Sequence, residues 1–238
     1  MLLLELKPTV PISKKSISGI IPKNDNLEWL GTGAQAIAHS IKNKPNMVLK
    51  TINILSNNDP VIAFLRICIN NKNNPYLPKI YKVKVYNSSN IDTDTFHQEY
   101  NNNIPDPDHI PPDQGTKVVL IVMEKLFPLV SDVSNSMRLL KDVGIFDQSQ
   151  SHPKINTFSN TYTSIGPTKI KFDNKSSRRE LYNSTTDPQF KSVLRLLEPI
   201  FSSGMVQNDM HGGNIMLRKD PLGLVIIDPV IINPSKTS

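Results

Sequence analysis

The sequence predicts an α+β protein, and three features lead to that class. Short apolar runs separated by turn residues follow one another between residues 27 and 52, as in a small antiparallel sheet. Apolar residues recur at helical spacing after Asp59-Pro60 and again after Asp187-Pro188. Two further apolar runs, within 215–227, flank a polar turn and predict a β-hairpin.

The N-terminal sheet is predicted from three strands and two turns. Trp29-Leu30 enters a glycine turn at Gly31-Thr32-Gly33-Ala34, and the run from Ala36 to Ile41 leaves it. A second turn at 43–46 leads into a third strand at 47–52. We expect these strands to form a small antiparallel sheet.

A helix is predicted to follow the sheet. Asp is a preferred N-cap residue and Pro is preferred at the first helical position, so Asp59-Pro60 predicts a helix start. The Asn-rich stretch 70–74 ends the apolar pattern. The next strand is predicted at 78–86.

The middle of the chain alternates polar segments with regular elements. Residues 87–115 are rich in Asn, Asp and Pro and predict a surface excursion, whereas the continuous apolar run 118–123 predicts a strand buried on both faces. A helix is expected at 135–142, followed by a polar segment at 148–186 that we interpret as a mobile loop or an insertion.

The last helix is predicted from its cap and its spacing. Asp187-Pro188 repeats the cap-then-proline pattern, Pro199 is expected to bend the helix or end it early, and Gly204 closes it. A loop at 208–214 then leads into the hairpin.

Composition limits the classes of function. The chain has 238 residues, a net charge of +6 and one cysteine, which excludes an intramolecular disulfide and a multi-cysteine zinc site. No apolar stretch reaches the ~18 residues of a membrane span, and the basic residues are scattered, which argues against a nucleic-acid partner. We expect a cytoplasmic, single-domain protein; oligomeric state is left open.

The candidate chemistry lies in the C-terminal hairpin and the loop before it. Asn214 follows Asp209 by five positions, and Asp228 follows Asn214 by fourteen. A carboxylate and an amide oxygen at the ends of one loop, with a carboxylate after the facing strand, would suit acceptor positioning and Mg²⁺ binding in phosphoryl transfer. The competing interpretation is a polar hairpin whose side chains only satisfy backbone groups.

This arrangement resembles the catalytic hairpin of the protein-kinase-like superfamily. The resemblance implies that Asp209 is the catalytic base, that Asn214 and Asp228 bind Mg²⁺, and that His211 donates a hydrogen bond to the terminal phosphate. The Asp-x-His-x-x-Asn spacing looks more like aminoglycoside and choline kinases than eukaryotic protein kinases.

The same resemblance assigns a nucleotide site to the N-terminal half. Gly31 and Gly33 would approach the phosphates, and Lys50 would pair with them. Lys50 could instead be an ordinary edge-strand lysine. The carbonyl of Glu124 and the amide of Leu126 would face adenine.

The implied architecture is a two-lobed kinase-like domain with a reduced second lobe. It would have an N-lobe at about 1–123, a hinge at 124–127 and a C-lobe at about 128–238 that carries the polar insertion at about 148–186. The compact build, with ten residues after Asp228 and no expected activation segment, resembles short bacteriophage-encoded Ser/Thr protein kinases.

Two departures from the family pattern accompany the resemblance. The helix after Pro60 contains no Glu to hold Lys50, which leaves Glu99 as a candidate, and Asp228 is followed by Pro-Val. The leading expectation is an ATP- and Mg²⁺-dependent Ser/Thr protein kinase acting on host or cellular proteins. The alternatives are a small-molecule kinase and a catalytically weak nucleotide-binding protein that inhibits a partner.

Overall fold

The protein is α+β, as the sequence predicts, and forms two compact units. The computed structural model describes residues 27–33, 36–54, 59–87, 117–145, 154–156, 161–164, 175–203, 206–208, 210 and 212–232. One unit takes the described residues of 1–56 and 81–123, and the other takes those of 57–80 and 124–238. Residues 57–80, which the proposed domain boundaries place with the N-terminal sheet, therefore group with the second unit.

The first unit is a five-stranded sheet with the spatial order β1-β2-β3-β5-β4. Neighbours β1 and β2, and β2 and β3, are antiparallel. The strands are β1 Leu27–Gly33, β2 Ala36–Ile41, β3 Lys44–Ile54, β4 Ile80–Asn87 and β5 Lys117–Glu124.

The glycine-rich segment differs from its prediction, since Gly31 and Gly33 lie in β1 and not in a turn. Gly31 pairs with Ala38 and Gly33 with Ala36. Only two residues separate β1 from β2, so the ladder extends to the tip of the hairpin. The second turn is likewise shorter than predicted, because β3 already begins at Lys44.

Strand β5 confirms the prediction of burial on both faces. Successive residues Val118, Val119, Leu120 and Ile121 are all buried. Such consecutive burial needs cover on the two faces of the sheet. Part of this cover is a cluster within the first unit formed by Ile37, Ile41, Leu49, Val118 and Leu120.

The second unit holds the described helices and the short ladders. Its helices are α1 Pro60–Asn70, α2 Val133–Asp142, α3 Lys175–Ser184 and α4 Pro188–Ser202. Its strands are β6 Phe127–Pro128, β7 Lys154–Asn156, β8 Thr161–Ser164, β9 Val206–Asn208, β10 Ile215–Lys219, β11 Leu222–Ile226 and β12 Val230–Ile232.

Both predicted Asp-Pro helix starts are confirmed. The Asp59 carboxylate accepts from the Val61 amide at 3.0 Å, and Asp187 accepts from the Gln189 and Phe190 amides at 2.7 and 2.9 Å. These bonds satisfy amides that have no partner inside the helix.

Pro199 does not end α4, which continues to Ser202. Proline removes a hydrogen bond to the carbonyl one turn earlier. Pro199 and Arg195, the residue that carries this carbonyl, are both exposed, so water can replace the lost donor. Gly204, predicted to close the helix, lies outside the described residues.

The polar segment 148–186 is not only a loop, which corrects the prediction. It contains the antiparallel pair β7-β8 and the helix α3. Leu181 anchors α3 in the core, and the Thr185 hydroxyl donates to its carbonyl at 2.8 Å. A single apolar anchor gives little periodicity, which explains why the sequence pattern missed this helix. The excursion predicted at 87–115 lies outside the described residues beyond Asn87.

The core of the second unit is built mainly on α4. Phe190, Val193, Leu194 and Leu197 are almost fully buried there, and α1 packs against this helix. Tyr76 meets Phe190 edge-on, with ring centroids 5.0 Å apart. Among the described helices, none is long and apolar enough to span a membrane.

Candidate functional site

The hairpin β10-β11 brings Asn214 next to the segment that carries Asp228. Ile215 pairs with Ile226 in an antiparallel register, so the start of β10 lies opposite the end of β11. One step further out, the Asn214 carbonyl accepts from the Ile227 amide at 3.0 Å. Asn214 and Asp228 are thus close in space although fourteen positions separate them.

A second ladder fixes the other end of the loop that precedes the hairpin. Strands β9 and β12 are antiparallel, and Asn208 pairs with Val230. The loop therefore starts and ends beside the segment 227–230, with Asp228 between the two attachment points. Met210, within this loop, is fully buried in the core of the second unit.

Two of the predicted catalytic residues lie outside the described residues. They are Asp209 and His211. The structure describes the residues on either side of them, namely Asn208, Met210 and Gly212. Their predicted roles remain predictions.

The charge of Asp228 reaches the helix α1. Burial raises the pKa of the Cys68 thiol well above its usual range, and the negative charge of Asp228 raises it further. Cys68 is almost fully buried in α1, and α1 packs against β12. Asp228 itself is partly buried.

The donor set at this point suits a hard divalent cation. Asn214 offers an amide oxygen and Asp228 a carboxylate, and Mg²⁺ prefers few protein oxygens completed by phosphate and water. Within the described parts of the chain, no three His, Cys, Asp or Glu residues cluster as a metal site.

The predicted adenine contact, Glu124, has a structural partner that the sequence did not reveal. Its carboxylate receives two hydrogen bonds from the Arg218 guanidinium, at 2.7 and 2.5 Å. The same carboxylate accepts from the Lys79 amide at 2.8 Å, and the Glu124 amide donates to the Lys79 carbonyl at 3.0 Å. Leu126 is buried two residues further on.

Arg218 connects three segments of the second unit. Besides Glu124 it donates to the carbonyls of Pro75 and Leu77, at 2.6 and 3.0 Å. The paired side chains are only 5% and 8% exposed. Strand β10 thus holds both the end of β5 and the segment 75–79 in place. Arg218 follows Asn214 by four positions in the chain.

No local pattern could have paired two residues 94 positions apart. The one available signal is an arginine inside an apolar strand, because such a charge needs a partner when it is buried.

In the first unit, Lys50 lies on an interior strand. β3 runs between β2 and β5, and Lys50 pairs with Ala38. The alternative of an edge-strand lysine is therefore wrong. Lys50 is partly buried and interacts with other groups of the protein.

Gly31 is not required by packing. A β-carbon added at Gly31 would meet no atom of the described residues within 4 Å. Of the predicted site residues that are described, the structure thus brings Asn214 and Asp228 together, and Glu124 and Leu126 lie in the same unit. Gly31, Gly33 and Lys50 belong to the first unit.

Comparison of the chain with known protein families and with curated proteins found no match.

Proposed function

We propose that the protein is an ATP- and Mg²⁺-dependent phosphotransferase of protein-kinase-like fold, acting on serine and threonine of proteins. One observation carries the proposal: both ends of the loop 209–213 are attached beside Asp228, through the Asn208 to Val230 pairing and the Asn214 to Ile227 hydrogen bond. This attachment supports the predicted roles, in which the loop that contains Asp209 and the residues Asn214 and Asp228 act at one site.

In this proposal each residue has a distinct task. The Asn214 amide oxygen and the Asp228 carboxylate hold Mg²⁺, which offsets the charge of the triphosphate. Asp209 orients the acceptor hydroxyl and takes its proton, and His211 donates a hydrogen bond to the terminal phosphate. Lys50 neutralises charge on the inner phosphates.

The fold supports the proposal at the level of element order. Strands β1–β3 of the five-stranded sheet precede helix α1 in the chain and strands β4 and β5 follow it, and the interior strand β3 carries a lysine. The hairpin β10-β11 comes after the last helix, with an Asn directly before it and an Asp shortly after it. Residues 124–127 act in the proposal as the hinge. The hydrogen bonds from Arg218 to the Glu124 carboxylate would keep this backbone in one conformation.

One feature favours a second candidate, a nucleotide-binding protein with little turnover. Helix α1 carries no acidic residue, and the charged residue it has, Arg66, is exposed. The ion pair that usually orients the phosphate lysine in kinases cannot come from this helix. Binding of nucleotide without transfer would support this candidate.

The proposal is tested by transfer of labelled phosphate from ATP to proteins of a cell lysate. Asp228→Asn removes the anionic ligand and keeps the size of the side chain. Loss of one such group costs ~3–4 kcal/mol of barrier, or a rate lower by about two to three orders of magnitude. Asp209→Asn is expected to act in the same direction.

A matched control comes from the opposite end of the same hairpin. Asp220 is exposed in the turn between β10 and β11, so Asp220→Asn should leave the rate within about twofold. Equal rates for Asp228→Asn and Asp220→Asn would overturn the proposed role. Transfer to metabolites but not to proteins would favour a small-molecule kinase instead.

A further inference from the structure

An aromatic ring on helix α3 contacts two cationic side chains on helix α4. The Lys191 ammonium lies 5.0 Å and the Arg195 guanidinium carbon 4.9 Å from the centre of the Tyr182 ring. The Arg195 guanidinium also donates a hydrogen bond to the Tyr182 hydroxyl. These three residues form what we call the Tyr182 patch.

The two cations of the Tyr182 patch repel each other electrostatically. Lys191 and Arg195 are one helical turn apart on α4, where like charges repel. Within the described part of the chain, neither makes an ion pair with a carboxylate. The tyrosine ring attracts both cations by its quadrupole and keeps them side by side. An anionic ligand would relieve the repulsion.

The surroundings of the Tyr182 patch are also basic. Among the described side chains of α3 and α4, four are basic and two are acidic: Arg178, Arg179, Lys191 and Arg195 against Glu180 and Glu198. Glu198 lies 3.9 Å from the Arg178 guanidinium across the helix pair, so this carboxylate already has a cationic partner outside the patch. The local charge remains positive.

We propose that the Tyr182 patch docks an acidic segment of the acceptor protein, a role that rests on the proposed function. Guanidinium and ammonium donors recognise carboxylates, and Arg195 offers several N–H groups in a fixed plane. The Tyr182 ring already contacts two cations, so it is poorly placed to stack on a nucleic-acid base. An acidic peptide therefore fits the patch better than a single-stranded nucleic acid.

Helix α4, which carries Lys191 and Arg195, precedes β9 along the chain. Helix α4 leads from Arg195 towards β9 and packs against that strand. The remaining helix after Arg195 spans about 10 Å at 1.5 Å per residue. An extended peptide covers that length in about three residues, so a peptide bound at Arg195 would reach the end of α4 within a few positions.

Docking is tested by fluorescence anisotropy with a dye-labelled peptide that carries several glutamates near one serine, in the absence of nucleotide. A peptide with glutamines at those positions is the matched ligand control. We expect Arg195→Glu to weaken binding of the glutamate peptide about tenfold, and added salt to weaken it for the native protein. Lys141→Glu, which makes the same charge change on exposed α2, should alter binding less than about twofold.

Three results would overturn the proposal. They are equal weakening by Arg195→Glu and Lys141→Glu, equal binding of the glutamate and glutamine peptides, and tighter Arg195-dependent binding of an oligonucleotide of the same charge. If Arg195→Glu lowers the melting temperature, Arg195→Gln and Tyr182→Phe decide the matter, and unchanged binding in both would also contradict it.

The phosphotransfer assay separates this inference from the proposed function. With the acidic peptide as acceptor, Arg195→Glu should raise KM about tenfold and leave kcat unchanged. A protein that binds the peptide but transfers no phosphate would refute the proposed function and leave the docking surface standing.

Discussion

Removing Arg218 from its buried pair with Glu124 should cost more stability than breaking the exposed pair of Arg138 and Asp142. Arg218→Met removes the guanidinium and keeps an apolar side chain of similar length. It leaves the buried Glu124 carboxylate with the Lys79 amide but without the two hydrogen bonds from Arg218, and leaves the Pro75 and Leu77 carbonyls without their donor.

The expected loss follows from burial. Removing one partner of a buried ion pair costs ~3–5 kcal/mol, because an uncompensated charge remains. The side chains here are 5% and 8% exposed, so solvent can do little to replace the lost bonds. A loss of this size is a third or more of a typical domain stability of about 5–15 kcal/mol.

Urea unfolding followed by circular dichroism measures the change, with Arg138→Met as the control. Arg138 pairs with Asp142 at 3.4 Å, but these side chains are 57% and 56% exposed, so the control should lose less than ~1 kcal/mol. The double variant Arg218→Met with Glu124→Leu should recover part of the loss, since it leaves no buried charge. Similar losses for Arg218→Met and Arg138→Met would refute the reasoning.

Three further predictions use other parts of the structure. The buried Cys68 thiol, whose pKa burial raises, should react with a thiol reagent only after unfolding in urea; fast reaction of the folded protein would contradict its burial. Gly144→Ala should destabilise the protein by more than ~1 kcal/mol, because φ is +79° there and a β-carbon would lie 2.5 Å from a backbone oxygen, whereas Gly31→Ala should leave the melting temperature unchanged. Burial and the hydrogen bond to Asp187 raise the pKa of Tyr76, so the folded state keeps a proton that the unfolded chain loses above a pH of about 10. Stability should therefore fall as pH rises through that value, and Tyr76→Phe should reduce the fall in unfolding experiments across this range.

Local signals in the sequence were enough for the elements that depend on neighbouring residues. Helix α1 begins and ends where Asp59, Pro60 and the asparagines indicate, and β5 is buried as its apolar run requires. Caps and periodicity act over one or two turns, so a single sequence contains them.

Contacts between residues far apart in the chain could not be predicted from such local signals. The pairing of Asn208 with Val230 depends on two strands of three residues each, too short for a pattern. Arg218 joins segments far apart in the chain, and its place in an apolar strand indicates that it needs a partner without indicating which one. The order of Asn214 and Asp228 was visible, but their proximity needed the strand register.

The central claim is that Asn214 and Asp228 together bind the divalent cation of a bound nucleotide. Electron paramagnetic resonance tests it directly, with Mn²⁺ in place of Mg²⁺ and a non-hydrolysable ATP analogue. We predict that the native protein and Asp220→Asn bind Mn²⁺ with the nucleotide, and that Asp228→Asn and Asn214→Ala weaken this binding at least tenfold. Equal Mn²⁺ binding by all four proteins would contradict the claim.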